Sequence, residues 1–122
     1  MLGLLLVDHG SRRAEANAQF EDMANRLAAR CPDALVVCCH MEVSPPYIAD
    51  GFADLVKQGA TTIRVLPYFL GDGRHSREDI PMMCAEAAAN YPGLRWSLAA
   101  VLGPDDLLVD LLLRRAEAAA LR

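Results

Sequence analysis

The chain has 122 residues, 53% of them hydrophobic and 23% charged, with a formal net charge of −4. That length suits one domain, residues 1–122, with a single core. The composition excludes a disordered chain, and the acidic balance argues against a nucleic-acid surface, which shows a basic excess.

No apolar run approaches the ~20 residues of a membrane span. The start, Met1-Leu2-Gly3-Leu4, lacks a basic n-region and reads as a strand rather than a signal peptide. Cys31, Cys38, Cys39 and Cys84 form no Cys-x-x-Cys pair, so zinc-finger and thioredoxin patterns are absent and a reduced, cytoplasmic protein is expected.

Residues 2–8 are almost wholly apolar, as in a strand buried on both faces. From about Arg13 to Arg30, Phe20, Met23 and Leu27 recur at helical spacing, with Glu15, Asn17, Glu21 and Asp22 largely opposite. Cys31-Pro32-Asp33 ends that helix. Ala34 to Met41 predicts the second strand. Ser44 reads as an N-cap with Pro45 in the first turn, and Ile48, Phe52, Leu55 and Val56 form the stripe of the second helix. Gly59 suits its C-cap.

Thr62 to Leu70 predicts the third strand. A Gly-Asp-Gly-Arg-His-Ser loop follows, and Pro81 dates the third helix to about Asp79 or Ile80, running to about Asn90. Leu94 to Val101 predicts the fourth strand. Gly103-Pro104-Asp105-Asp106 opens the last helix. Leu107, Leu108, Leu111, Leu112 and Leu113 make that helix apolar on more than one stripe, which suits core or a subunit interface. Strict β-α alternation implies an α/β, three-layer αβα fold with a four-stranded parallel sheet. The flavodoxin-like order 2-1-3-4 puts its switch point between strands one and three.

His9 and His75 leave from those two strands, so both face the crevice where open α/β sheets bind ligands. Imidazole serves there as a transition-metal ligand or a proton acceptor near neutral pH. Glu42, just past the second strand, is a candidate third ligand or acid/base group. His40 suits a satisfied core or pocket-edge histidine. Arg12, Arg13, Arg74 and Arg77 flank the histidines in sequence, and clustered around one crevice they would favour a ligand with several carboxylates. Gly10-Ser11 at a helix start also admits a phosphate- or nucleotide-binding reading, weakened by the lack of a Gly-rich fingerprint.

Asp8-His9-Gly10-Ser11 with Asn17, then His40-Met41-Glu42-Val43 with Pro46, then Leu66-Pro67-Tyr68-Phe69-Leu70 with Gly73, His75 and Asp79-Ile80-Pro81, follow one another in order. Over roughly residues 4–104 this pattern resembles the small class II tetrapyrrole chelatases, the sirohydrochlorin cobaltochelatases and ferrochelatases with related nickel chelatases. It departs from the family pattern at Val43-Ser44-Pro45 and at Gly71-Asp72. The resemblance implies insertion of Co²⁺, Fe²⁺ or Ni²⁺, as substrate, into a sirohydrochlorin-like tetrapyrrole, with no ATP and no organic cofactor. It implies that His9 and His75 present the metal, with Glu42 as the nearby acid group. Ser11, Arg12, Arg74 and Arg77 would then contact the macrocycle. Longer family members carry two such domains around one cleft. A macrocycle ~15 Å across is poorly buried by one small domain, so a homodimer is expected. A metal-delivery protein on the same fold is the rival reading; it predicts metal binding without product.

Overall fold

The computed structural model describes the backbone of residues 1–122 and the side chains of all but His75 and Ser76. Four parallel strands, β1 (Leu2–Asp8), β2 (Leu35–His40), β3 (Thr62–Pro67) and β4 (Arg95–Leu98), pair in the order β2-β1-β3-β4. Helices α1 (Ala14–Arg30), α2 (Ile48–Lys57), α3 (Ile80–Ala88) and α4 (Asp106–Ala118) follow the strands in turn. This is the order expected from alternation alone. Central β1 is paired on both edges, and its residues 3–7 are all buried.

The pleat sends alternate β1 side chains to opposite faces. Leu5 and Val7 join Cys39, Phe52, Leu55, Ile63, Val65, Ile80 and Cys84 in the larger core, under α2 and α3. Leu6 joins Phe20 and Ala24 of α1 in a smaller one. No helix among the described residues is long and apolar enough to cross a membrane.

Four boundaries differ from expectation, each for a local reason. α2 begins at Ile48, not near Ser44-Pro45. Pro46 disfavours the helical region for Pro45 before it, so the helix cannot open there. Its N-terminus is instead fixed by the Asp50 carboxylate, which accepts from the Tyr47 N–H at 2.8 Å. β3 stops at Pro67: towards β1 the Tyr68 N–H still donates to the Val7 carbonyl at 2.6 Å, but pairing with β4 ends at Val65, and Pro67 has no N–H to extend it. β4 is likewise shorter than expected, Arg95–Leu98, and beyond it the Leu102 N–H pairs with the carbonyl of Phe69.

A single π-helical turn, His75–Asp79, runs directly into α3, so the helical path starts before Asp79. Pro81 explains the wide turn: in a regular helix its ring would clash with the carbonyl four residues back, that of Arg77. The Asp105 carboxylate caps α4 by accepting from the Leu107 N–H at 2.8 Å, and Pro104 lies outside the helix. The leucines of α4 are not core: none of its residues is buried, and Leu107 is 77% and Leu112 69% exposed.

All four cysteines are free thiols. Burial pushes the Cys84 thiol up to about 12. Burial also raises Cys39 and, aided by the negative charges of Glu21 and Asp8, Cys38. In the unfolded chain these thiols lose their protons near pH ~8.5. Above that value the unfolded state therefore binds fewer protons than the folded one. Stability from this source is complete below pH ~8.5 and declines as pH rises towards the folded values. Urea midpoints measured at pH 7 and pH 10 are expected to fall at the higher pH, and the C39A/C84A variant is expected to lose part of that dependence.

Candidate metal site at the carboxyl ends of the strands

The parallel register sets Asp8 of β1 opposite His40 of β2. The ladder continues past both strands: the Met41 N–H donates to the carbonyl of Asp8 at 2.8 Å, and the Glu42 N–H to that of His9 at 3.1 Å. Glu42 is thereby drawn beside His9. Its Oε1 stands 2.7 Å from His9 Nε2, with the two side chains 52% and 50% exposed.

Two unusual backbone positions shape this corner. Gly10 has φ +97°, and a Cβ there would stand 2.1 Å from the carbonyl oxygen of Glu42. Only glycine fits so close an approach. Val43 has φ +76°, and the Ser44 N–H donates to the carbonyl of Glu42 at 2.9 Å, closing a γ-turn of the rare positive-φ form. A β-branched residue in that region is strained, and such strain collects where a side chain must be aimed.

Below the corner, His40 is 2% exposed. Its Nδ1 lies 2.5 Å from Asp8 Oδ1, and its ring packs 5.5 Å from that of Phe20. His40 is thus the satisfied histidine that its sequence position suggests. Although His40 and Glu42 share strand parity, they do not act on one another: His40 is bound to Asp8, and Glu42 to His9. Asp8 also lines a cavity of about 580 Å³ with Phe20, Tyr68, Arg26 and Arg115.

Ser11 is fixed on three sides. Its N–H donates to Asn17 Oδ1 at 3.2 Å, its carbonyl accepts from Asn17 Nδ2 at 2.8 Å, and its hydroxyl accepts from the Arg13 N–H at 3.0 Å. Arg12 and Arg77 are exposed. Arg74 Nε lies 3.8 Å from Glu78 Oε2, an exposed pair that contributes little to stability. His75, the other expected metal ligand, has a side chain outside the described residues; its place in the chain is the start of the π-helical turn that follows β3. Among the described residues no three metal-binding side chains form a cluster, so the described donor set is the pair His9 and Glu42.

Sequence reasoning missed two residues here. Asp8 was visible only as part of a motif, yet facing parallel strands that end in Asp8 and His40 carry the signal for their pairing. Asn17, named in the first motif and largely opposite the apolar stripe by its spacing, is half-buried and braces the loop at Ser11, a role that neither signal gives.

The CbiX family model matches residues 3–119. The chain is 41% identical over 108 residues to the chloroplastic sirohydrochlorin ferrochelatase of Arabidopsis thaliana, covering 88% of this chain and 48% of that one. It is 34% identical over 119 residues to the sirohydrochlorin cobaltochelatase of Sulfolobus acidocaldarius, covering 98% and 93%. Among solved structures, the sirohydrochlorin chelatase SirB of Bacillus subtilis subspecies spizizenii, in complex with cobalt, superposes with a TM-score of 0.87 at 33% identity, over 95% of this chain and 50% of that one. The chain therefore spans about half the length of the plant protein and of SirB, and nearly all of the archaeal one. With a model match over almost its whole length and a fold shared with SirB, the chain belongs to the CbiX family of small class II chelatases.

Proposed function

We propose that the protein is an ATP-independent chelatase that inserts Co²⁺ or Fe²⁺, with Ni²⁺ as a further candidate, into a sirohydrochlorin-like tetrapyrrole. The observation that carries this reading is the half-exposed His9–Glu42 pair at the carboxyl ends of the central strand β1 and its edge neighbour β2. Its donor atoms, 2.7 Å apart, need little opening to share an ion. Two ligands at right angles, each ~2.1 Å from a metal, stand ~3.0 Å apart. Names of relatives on both sides of the cobalt–iron divide support the reaction class.

In this reading His9 and His75 bind the metal through neutral imidazoles, with the Glu42 carboxylate beside His9 on the same ion. The macrocycle replaces protein and water ligands with four pyrrole nitrogens as two N–H protons leave. Glu42 or a released imidazole accepts them as general base. Few protein ligands suit a site that must give its ion up. Ser11, Arg12, Arg74 and Arg77 are the proposed contacts to the macrocycle's carboxylates.

We further propose a homodimer, with the partner subunit standing where the two-domain relatives carry their second half. The uncovered leucines of α4 support an interface. The free thiols suit a reducing compartment such as the cytoplasm.

The test is anaerobic incubation of the purified protein with sirohydrochlorin and each metal in turn, followed by absorption. Insertion faster than the spontaneous rate with Co²⁺ or Fe²⁺ is expected. Metal binding with no acceleration would reject catalysis and favour metal delivery.

A further inference from the structure

We propose that Asp8 and His40 are positioning residues for the metal site: their buried contact holds the carboxyl ends of β1 and β2 so that His9 and Glu42 meet on one ion. The inference rests on the reading of His9 and Glu42 given above.

His40 is the buried polar residue of the described core. One register step earlier the facing residues are Val7 and Cys39, both apolar and fully buried. Cohesion of the strands therefore does not call for a polar couple at this level. What the couple adds is direction. The 2.5 Å contact fixes one donor–acceptor distance across the strand gap. Phe20 closes over the imidazole, and Tyr68 packs on Phe20 at 5.5 Å, so the ring has little freedom to turn. A buried imidazole deprived of Asp8 would leave a polar group unmatched, which favours the paired arrangement over alternatives.

Each member sits just before a functional residue. Asp8 precedes His9. His40 is followed by Met41 and then Glu42, whose N–H groups bind the carbonyls of Asp8 and His9. Movement of either strand end is thus passed directly to the 2.7 Å gap between Nε2 and Oε1. Partners of this indirect kind typically change metal affinity ~10- to 100-fold when removed.

The full chain is tested with Co²⁺ alone by titration calorimetry. His40→Phe fills the space against Phe20 but lacks the link, and Asp8→Asn keeps a hydrogen-bonding side chain of the same shape. His40→Phe is expected to weaken Co²⁺ binding about ten-fold or more, with Asp8→Asn within about three-fold of the parent. Amide exchange at Met41 and Glu42 is expected to quicken in His40→Phe relative to Val65 in the core. The control Ile63→Val lowers Tm without moving Co²⁺ affinity. Parental affinity in His40→Phe, or an equal loss in Ile63→Val, overturns the positioning role. His9→Ala run alongside separates the two readings: if it binds Co²⁺ like the parent, the metal site itself fails and the positioning role with it. If His9→Ala loses binding and His40→Phe does not, only the positioning role fails.

Discussion

Replacing His9 by alanine is expected to lower the rate of metal insertion at least ~100-fold while leaving the protein folded. The imidazole is half-exposed and contributes nothing to either core. Its contact with Glu42 is a pair near the surface, worth about 0–1 kcal/mol. Tm should therefore shift by no more than a few degrees. Activity is another matter. Loss of a group that merely orients a metal ligand costs 10- to 100-fold, and loss of the ligand itself should cost more. Glu42→Gln keeps the shape and a polar contact to His9 but removes the carboxylate, so a smaller loss is expected. The double variant H9A/E42Q should be little worse than His9→Ala alone, because groups that act on one ion are not additive. His75→Ala is expected to match His9→Ala. Steady-state insertion of Co²⁺ into sirohydrochlorin, with circular dichroism to confirm the fold, measures all of these. Near-parental rates in both histidine variants would sink the assignment.

The uneven legibility of this chain has physical causes. Strand order was readable because period and alternation are global properties, and the right-handed crossover leaves few arrangements. The burial of His40 was readable from its place at the end of an apolar run. The start of α2 was not, because the decisive residue is Pro46, which acts on the backbone of Pro45 rather than through any pattern of polarity. The meeting of Glu42 with His9 also lay beyond periodicity. It depends on a ladder that outlasts its strands and on a γ-turn centred on Val43, a residue type that rarely adopts φ +76°. The α4 leucines were legible only as a pair of alternatives, core or interface, because what covers a surface is not written in its own pattern; within this chain no residue of α4 is buried.

The same corner gives the second large effect, through Gly10→Ala. Three glycines of the chain have positive φ, and two of them make a controlled comparison. Gly59 has φ +108°, but a Cβ there would meet nothing within 4 Å. Gly59→Ala therefore incurs only the conformational penalty of an L-residue in that region, about 1–2 kcal/mol. Gly10, at φ +97°, incurs the same penalty, and its Cβ would also stand 2.1 Å from the Glu42 carbonyl oxygen and 3.1 Å from His40 Cβ. The first obstacle is backbone, which cannot rotate aside as a side chain can. Overpacking of this kind adds about 1–3 kcal/mol, so Gly10→Ala should destabilise by about 2–5 kcal/mol. The relief available is displacement of the 41–44 segment, which would lengthen the Glu42 N–H to His9 bond and part Glu42 from His9. Stability and insertion activity should thus fall together in Gly10→Ala, whereas Gly59→Ala should lose stability alone. Urea unfolding of both variants, with insertion rates measured where each remains folded, distinguishes the two. Equal activity in the two variants would mean that the close approach of Gly10 to Glu42 has no part in shaping the site.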